Sequence, residues 1–160
     1  MSNELDAPSA FPWPPLLLAG VVGSALAVDR WLMPLPLPLP FAELTAVRAA
    51  GLVVLLSSVA LLVWAAVEFQ RHDTTIRPDR ESRALITSGP FAWSRNPIYP
   101  AEIVALLGAA LVFNKLMLAL GAPVFGVLVT ALAVRPEEDV LKRKFGLAYE
   151  DYCHHVRRWL

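Results

Sequence analysis

Two short polar stretches hold the residues whose types and spacing suit binding chemistry. Residues 94–100 read S-R-N-P-I-Y-P and residues 135–139 read R-P-E-E-D. Arg95 presents a planar fork of N–H donors that suits a carboxylate or a phosphate, and Asn96 offers both a donor and an acceptor. On spacing alone, contact of Arg95 with lipid headgroups explains the first stretch equally well. Because a hydrophobic hairpin separates the two stretches, we expect them to lie close together in space.

Three glutamates accompany these stretches. Tyr99 and Glu102 are three residues apart, so they share one face of a helix. A carboxylate one turn inside a membrane helix is costly unless it faces the protein, a cavity or the interface, which makes Glu102 a candidate catalytic residue. Glu137 and Glu138 suit the positive end of a helix dipole. Since neighbours on a helix point about 100 degrees apart, this pair is not expected to act as a catalytic dyad.

Several other kinds of chemistry are disfavoured. Cys153 is the single cysteine, so it forms no internal disulfide. The adjacent His154 and His155 do not have metal-ligand spacing, and the sequence has no nucleotide-binding glycine loop or nucleophile elbow. The formal net charge is +0 and the basic residues are scattered, which argues against a nucleic-acid partner. No metal site is predicted.

The composition indicates a membrane protein, since 56% of the residues are hydrophobic and only 18% are charged. Mean hydropathy is +0.52. Residues 49–67 carry no charge and have the length of a membrane-spanning helix. The predicted fold is an all-α integral membrane bundle of about four transmembrane helices, forming a single domain. The predicted spans are residues 15–33, 48–69, 98–113 and 116–134, with a polar loop at 70–97.

Two segments at the N-terminal side need separate interpretation. The first eight residues are acidic rather than basic, so the apolar segment that follows does not resemble a cleavable signal peptide. Residues 33–40 read M-P-L-P-L-P-L-P, which favours an extended polyproline connection. A ligand for a proline-recognition domain is the alternative reading of this segment.

Basic residues predict the orientation. Five lie in the loop at 70–97 and six follow residue 134, against three near the other side. The positive-inside rule then places this loop and both termini in the cytoplasm, as expected of a multi-pass protein of the inner, cytoplasmic membrane. If the first segment does not cross, the N-terminus alone changes side.

The tail at 136–158 predicts amphipathic surface helices rather than a span. Pro136 suits a first helical turn and Gly146 suits a helix end. Tyr149, Tyr152, Val156 and Trp159 recur at helical spacing. We expect these helices to lie on the cytoplasmic membrane surface with the aromatic side chains as interfacial anchors.

Both polar motifs together resemble a known family. Residues 89–99 read G-P-F-A-W-S-R-N-P-I-Y, and residues 135–152, after the hairpin, read R-P-E-E-D-V-L-K-R-K-F-G-L-A-Y-E-D-Y. This order resembles the isoprenylcysteine carboxyl methyltransferases and the related phospholipid methyltransferases, over about the second half of the chain. The resemblance implies a membrane transferase that takes a methyl group from S-adenosylmethionine without a Rossmann domain.

The resemblance also implies roles for individual residues. Arg95 and Glu102 are the implied catalytic residues. The implied cofactor-binding residues are Gly89, Pro90, Arg95, Asn96, Pro97, Tyr99, Glu137 and Glu138. In this reading Arg95 pairs with the cofactor's carboxylate and a glutamate with its ammonium, and a lipophilic small molecule or lipid enters from the membrane as the acceptor. The implied acceptor group is a thiol, a carboxylate or an amine.

Two positions depart from the family pattern. Asn96 stands where the best-known members have histidine, so a role for that histidine as a base is not carried over. Pro100 stands where relatives have a small or apolar residue. The alternative function is a non-catalytic membrane module that binds lipid or supports structure, and a third is a sterol-reductase-like enzyme, for which the sequence offers no nicotinamide site.

Overall fold

The computed structural model describes residues 13–38, 44–72 and 85–159. The acidic N-terminal residues, and Arg77, Arg80 and Arg83 of the predicted loop, lie outside the described residues.

Helices account for most of the described chain. They are α1 (Trp13–Ala27), α2 (Leu44–Arg71), α3 (Ile98–Phe113), α4 (Leu116–Val129), α5 (Arg135–Phe145) and α6 (Leu147–His155). A π-helical turn at Val28–Leu32 extends α1, and another at Thr130–Val134 joins α4 to α5 without a break. Within the described ranges the only β-type pairing is an isolated parallel bridge between Ser94 and Arg157. The all-α prediction is confirmed.

Three helical stretches are long and apolar enough to cross a membrane: Pro14–Leu32, Leu44–Arg71 and Leu116–Phe145. A bilayer core about 30 Å thick needs about 20 residues of helix. α3 is equally apolar but has 16 residues. The predicted membrane bundle of about four helices is therefore confirmed, with α3 as its short member.

α3 lies at the centre of the helix packing, between α2 and α4, and α1 packs on the other side of α4. Close approach of α2 and α3 depends on glycine: a Cβ on Gly108 would lie 2.9 Å from the backbone nitrogen of Leu55. Small residues commonly allow this contact between membrane helices. On the α4 side, Tyr99 packs with Phe125 and Val129 in a buried core cluster. α3 is thus fixed against both neighbours.

The end of the bundle opposite the polar motifs is closed by the turn between α3 and α4. Asn114 adopts the left-handed conformation, with φ 52°, and its side-chain oxygen accepts a hydrogen bond from Leu37 N–H at 3.1 Å. Leu116 N–H donates to the carbonyl of Leu35 at 3.1 Å. Lys115 forms an ion pair with the buried Asp29 of the first π-helical turn. These contacts fix the proline-rich connection and the α3–α4 hairpin together.

Candidate functional site

The α3–α4 hairpin brings the two polar motifs to one end of the bundle. Arg95 and Asn96 directly precede α3, which Pro97 opens as its N-cap residue. Glu137 and Glu138 lie in the first turn of α5. Because the π-helical turn carries the chain from α4 into α5 without a break, α5 starts beside the start of α3. Proline at the second position of α5 is compatible with a helix start, since its missing N–H needs no partner there.

Two contacts join the motifs. An Nη2 atom of Arg95 lies 3.5 Å from Oε1 of Glu138, and both side chains are mostly buried, at 16% and 12% exposed. The hydroxyl of Tyr99 donates a hydrogen bond to Oε1 of Glu137 at 2.8 Å. Each glutamate therefore meets a different residue of the first motif, so neighbouring positions on α5 contribute to one site.

Four polar atoms at this end are buried but find no hydrogen-bond partner among the described residues. They are Nε of Arg95, Nδ2 of Asn96, Oε2 of Glu102 and the hydroxyl of Tyr149. Leaving a buried polar group unpaired costs about 1–3 kcal/mol, so such a concentration is unusual away from a functional site. The set includes donors and a carboxylate acceptor, as a zwitterionic ligand requires.

Gly89 and Pro90 lie in the turn that directly precedes the first polar motif. They begin a short 3₁₀ turn, Gly89–Ala92, and Gly89 has φ 59°, a conformation that favours glycine. A Cβ on Gly89 would lie 3.0 Å from the carboxylate of the buried Glu68 on α2. Ser88 Oγ donates to the same carboxylate at 2.5 Å. These contacts hold the turn against α2, and the chain continues from the turn to Ser94.

The C-terminal segment adds Arg158 and Cys153, to which the sequence pattern assigned no role at this site. Arg158 binds Glu138 through its Nε, 3.0 Å from both carboxylate oxygens, and its Nη2, 2.6 Å from Oε2. Ser94 is fully buried, and its hydroxyl donates to the carbonyl of Arg158 at 3.1 Å. An Nη1 atom of Arg95 contacts the sulfur of Cys153. No sequence motif distinguished Arg158 or Cys153 from the residues around them.

The placement of the two tyrosines corrects the sequence prediction. Tyr149 and Tyr152 are buried, at 3% and 7% exposed, so they do not act as anchors in the membrane interface. Tyr152 donates through its hydroxyl to the carbonyl of Phe91 at 2.6 Å. Trp159 packs against the core cluster that contains Tyr99. The aromatic face of the tail is covered by protein.

The electrostatics of the tail follow from this burial. Loss of solvation raises the pKa of the Tyr152 hydroxyl to about 12, although the charge of Arg95 opposes the change. Burial, and next the charge of Glu138, raise the pKa of Tyr149 well above its ordinary value. The hydrogen bond to Glu138 raises the pKa of Arg158. Both tyrosines therefore stay neutral, and the guanidinium stays charged, throughout the physiological range.

Metal ligands are not assembled at this end of the bundle. In the described part of the chain, no group of three or more His, Cys, Asp and Glu side chains lies close enough to hold a metal ion.

The fold and the two motifs define a helical membrane protein with a cluster of buried polar side chains at one end of its bundle. Residues 46–148 match the family model for phospholipid methyltransferases, and the chain belongs to that family. This membership confirms the family resemblance.

A more distant relative is the nickel-cobalt-cadmium resistance protein NccN of Alcaligenes xylosoxydans xylosoxydans. It is 27% identical over 77 residues, a match that covers 48% of this chain and 36% of the relative. No solved structure matches the chain with significance.

Proposed function

We propose that the protein transfers a methyl group from S-adenosylmethionine to a lipophilic small molecule or lipid, in the manner of the isoprenylcysteine carboxyl methyltransferases. When bound, the cofactor supplies an electrophilic methyl group on a sulfonium. The observation that carries this proposal is the set of unpartnered buried atoms beside the Arg95–Glu138 pair. Methyl transfer is an in-line displacement, so it depends on positioning and on management of charge.

The charged groups suit the amino-acid portion of the cofactor. The free Nε of Arg95 and the Nδ2 of Asn96 are donors for a carboxylate. Glu137 and Glu138 are acceptors for an ammonium, and Tyr99 orients Glu137 through its hydroxyl. Pro97, as the N-cap residue, fixes the direction in which the two donors leave α3. Gly89 and Pro90 support this arrangement from outside it.

Glu102 is proposed to act on the acceptor. It lies on the first turns of α3, and its Oε2 is buried without a partner in the described structure. A thiol, carboxylic acid or amine must lose a proton before or during methyl transfer, and Oε2 is an acceptor for that proton. An apolar acceptor reaches this position from the lipid along α3, while membrane lipids surround the other helices.

Cofactor binding tests the proposal directly. Titration calorimetry on the detergent-solubilised protein is expected to detect S-adenosylmethionine binding, and Arg95→Ala is expected to weaken it about 100-fold, as loss of a buried charged contact does. Arg143→Ala, an exposed arginine on α5, is the matched control and should bind like the wild type. Absence of wild-type binding at millimolar cofactor would overturn the proposal.

Turnover separates an enzyme from a binding module. Methyl-labelled cofactor is incubated with a panel of lipophilic thiols, carboxylates and amines, and label in the apolar extract is measured. Cofactor binding with no transfer to any acceptor would favour the non-catalytic module that retains the fold.

The chain is proposed to cross the membrane several times. In the proposed orientation the site, the loop at 70–97 and the C-terminus face the cytoplasm. The excess of basic residues near the site supports this orientation. A cysteine placed at the exposed Arg143 should resist an impermeant thiol reagent in intact cells and react after permeabilisation. The experiment uses the Cys153→Ser variant, so that the introduced cysteine is the single thiol in the chain. Labelling in intact cells would place residue 143 on the opposite side of the membrane.

A further inference from the structure

The C-terminal segment Val156–Trp159, here called the tail segment, lies against the first polar motif. Arg95 N–H donates to the carbonyl of Arg157 at 2.9 Å, and Ser94 forms the parallel bridge with the same residue. The family match ends at residue 148, so the tail segment lies beyond it. A part of the chain outside the family match therefore completes one wall of the site.

Arg158 and Arg95 contact the same carboxylate in different ways. Arg158 makes three hydrogen bonds to Glu138, at 3.0, 3.0 and 2.6 Å. Arg95 approaches Glu138 only as an ion pair at 3.5 Å, and its Nε remains without a partner in the described structure. Glu138 is thus held by Arg158, and much of the donor capacity of Arg95 stays available.

The geometry implies competition for Glu138. Guanidinium and carboxylate groups favour paired, two-bond contacts when both are free to form them. If the Arg158 guanidinium were absent, Glu138 would be free to turn toward Arg95 and form such a pair. The Arg95 donors would then be occupied before a carboxylate ligand arrived.

The backbone of the tail segment is held independently of the Arg158 side chain. Ser94 Oγ bonds the carbonyl of Arg158, and Trp159 packs into the core cluster around Phe125. Tyr152 fixes the preceding helix to the turn at Phe91. A substitution that removes only the guanidinium of Arg158 should therefore leave the segment in place.

We propose that Arg158 is a positioning residue that holds Glu138 away from Arg95 and so keeps the Arg95 guanidinium free for the carboxylate of the ligand. This inference rests on the proposed function, because S-adenosylmethionine is the carboxylate ligand in question. Arg158 acts through Glu138 and Arg95 and does not itself contact the reacting groups.

The test compares Arg158→Ala, Arg158→Lys and the wild type by calorimetry and by kinetics. Arg158→Ala is expected to raise Kd and KM for S-adenosylmethionine about tenfold, with kcat nearly unchanged at saturation. Arg158→Lys should recover part of the loss, because an ammonium neutralises Glu138 without matching both oxygens. The control Arg143→Ala should leave both constants unchanged.

A double-mutant cycle tests the route of the effect. If Arg158 acts through Glu138, then adding Arg158→Ala to Glu138→Gln should change the cofactor Kd less than about twofold. Independent, additive effects would overturn the positioning role. So would wild-type affinity in Arg158→Ala, or a fall in kcat with no change in KM.

Failure of this inference is distinguishable from failure of the proposed function. If the wild type does not bind S-adenosylmethionine, the function falls. If the wild type binds and Arg158→Ala binds equally well, only the positioning role falls. Thermal unfolding in detergent identifies a misfolded variant, and an equal loss of stability in the alanine and lysine variants without rescue of binding would indicate a merely structural arginine.

Discussion

Replacing Glu138 by alanine is expected to weaken S-adenosylmethionine binding about 100-fold and to destabilise the protein by about 2–4 kcal/mol. Glu138 lies between two guanidinium groups, since it binds Arg158 through both oxygens and pairs with Arg95 at 3.5 Å. Its removal leaves two like charges facing each other at a partly buried site. Repulsion would turn the Arg95 guanidinium out of its binding position.

The size of the stability loss follows from burial. Removing one partner of a buried ion pair costs about 3–5 kcal/mol, and exposed pairs contribute much less. The Arg95 side chain is 16% exposed, whereas that of Arg158 is 37% exposed and is partly screened by water. The loss should therefore fall somewhat below the buried range.

Two matched variants make the Glu138 prediction specific. Asp139→Ala removes an exposed carboxylate from the next position of α5 and should leave binding and stability unchanged. Glu138→Gln keeps the shape and one acceptor oxygen, so it should fold better than the alanine variant while still losing affinity. Calorimetry and thermal unfolding in detergent measure both quantities. Equal cofactor affinity in wild type and Glu138→Ala would contradict the prediction.

The membrane helices were predictable because their signal is local. An uncharged run such as residues 49–67 has the length and composition of a span whatever surrounds it. The observed bounds of this helix differ from the predicted bounds because the helix continues through polar residues beyond the apolar run. α2 begins at Leu44 and continues to Arg71, which projects an exposed charged side chain from its last turn.

The pairing of the two motifs was predictable for a different reason. A tight turn at Asn114 makes α3 and α4 antiparallel, so residues before α3 and after α4 must meet at the same end. Which glutamate meets which partner was not predictable. That assignment depends on the helical phase at residue 137, and the π-helical turn at Thr130–Val134 shifts this phase in a way the sequence does not indicate.

The buried tyrosines show the limit of periodicity. Spacing of three residues places Tyr149 and Tyr152 on one face of a helix, but it does not indicate what covers that face. The predicted cover was the membrane surface, whereas the Tyr152 hydroxyl donates to the carbonyl of Phe91, which lies 61 residues away in sequence. The tail segment was missed for the same reason, since its partners Ser94, Arg95 and Glu138 lie in motifs distant from it in sequence.

Removal of the tail segment is the second change with a large expected effect. A chain that ends at His155 loses the carbonyl of Arg157 that accepts from Arg95 N–H, and it loses the guanidinium that holds Glu138. Ser94, which is fully buried, loses the acceptor for its hydroxyl. Each buried group left unpaired costs about 1–3 kcal/mol. We expect cofactor binding to be abolished and the unfolding temperature to fall markedly.

Hydrogen exchange should detect local opening of the first motif in the truncated protein. Without the bridge at Ser94, amide hydrogens at residues 94–96 should exchange much faster in the truncated protein, while those of α2 and α3 remain protected. His154→Ala, which changes an exposed side chain next to the truncation point, is the control and should preserve both binding and protection.

A milder variant keeps the tail prediction testable if the truncated chain does not fold. Ser94→Ala removes the hydroxyl that donates to the Arg158 carbonyl and accepts from Asn96 N–H, and it leaves the Arg95 to Arg157 backbone bond intact. It should weaken cofactor binding by less than about tenfold, and exchange near Ser94 should rise in proportion. Rapid exchange at residues 94–96 already in the wild type, or wild-type protection in Ser94→Ala, would show that the tail segment does not hold the motif in place.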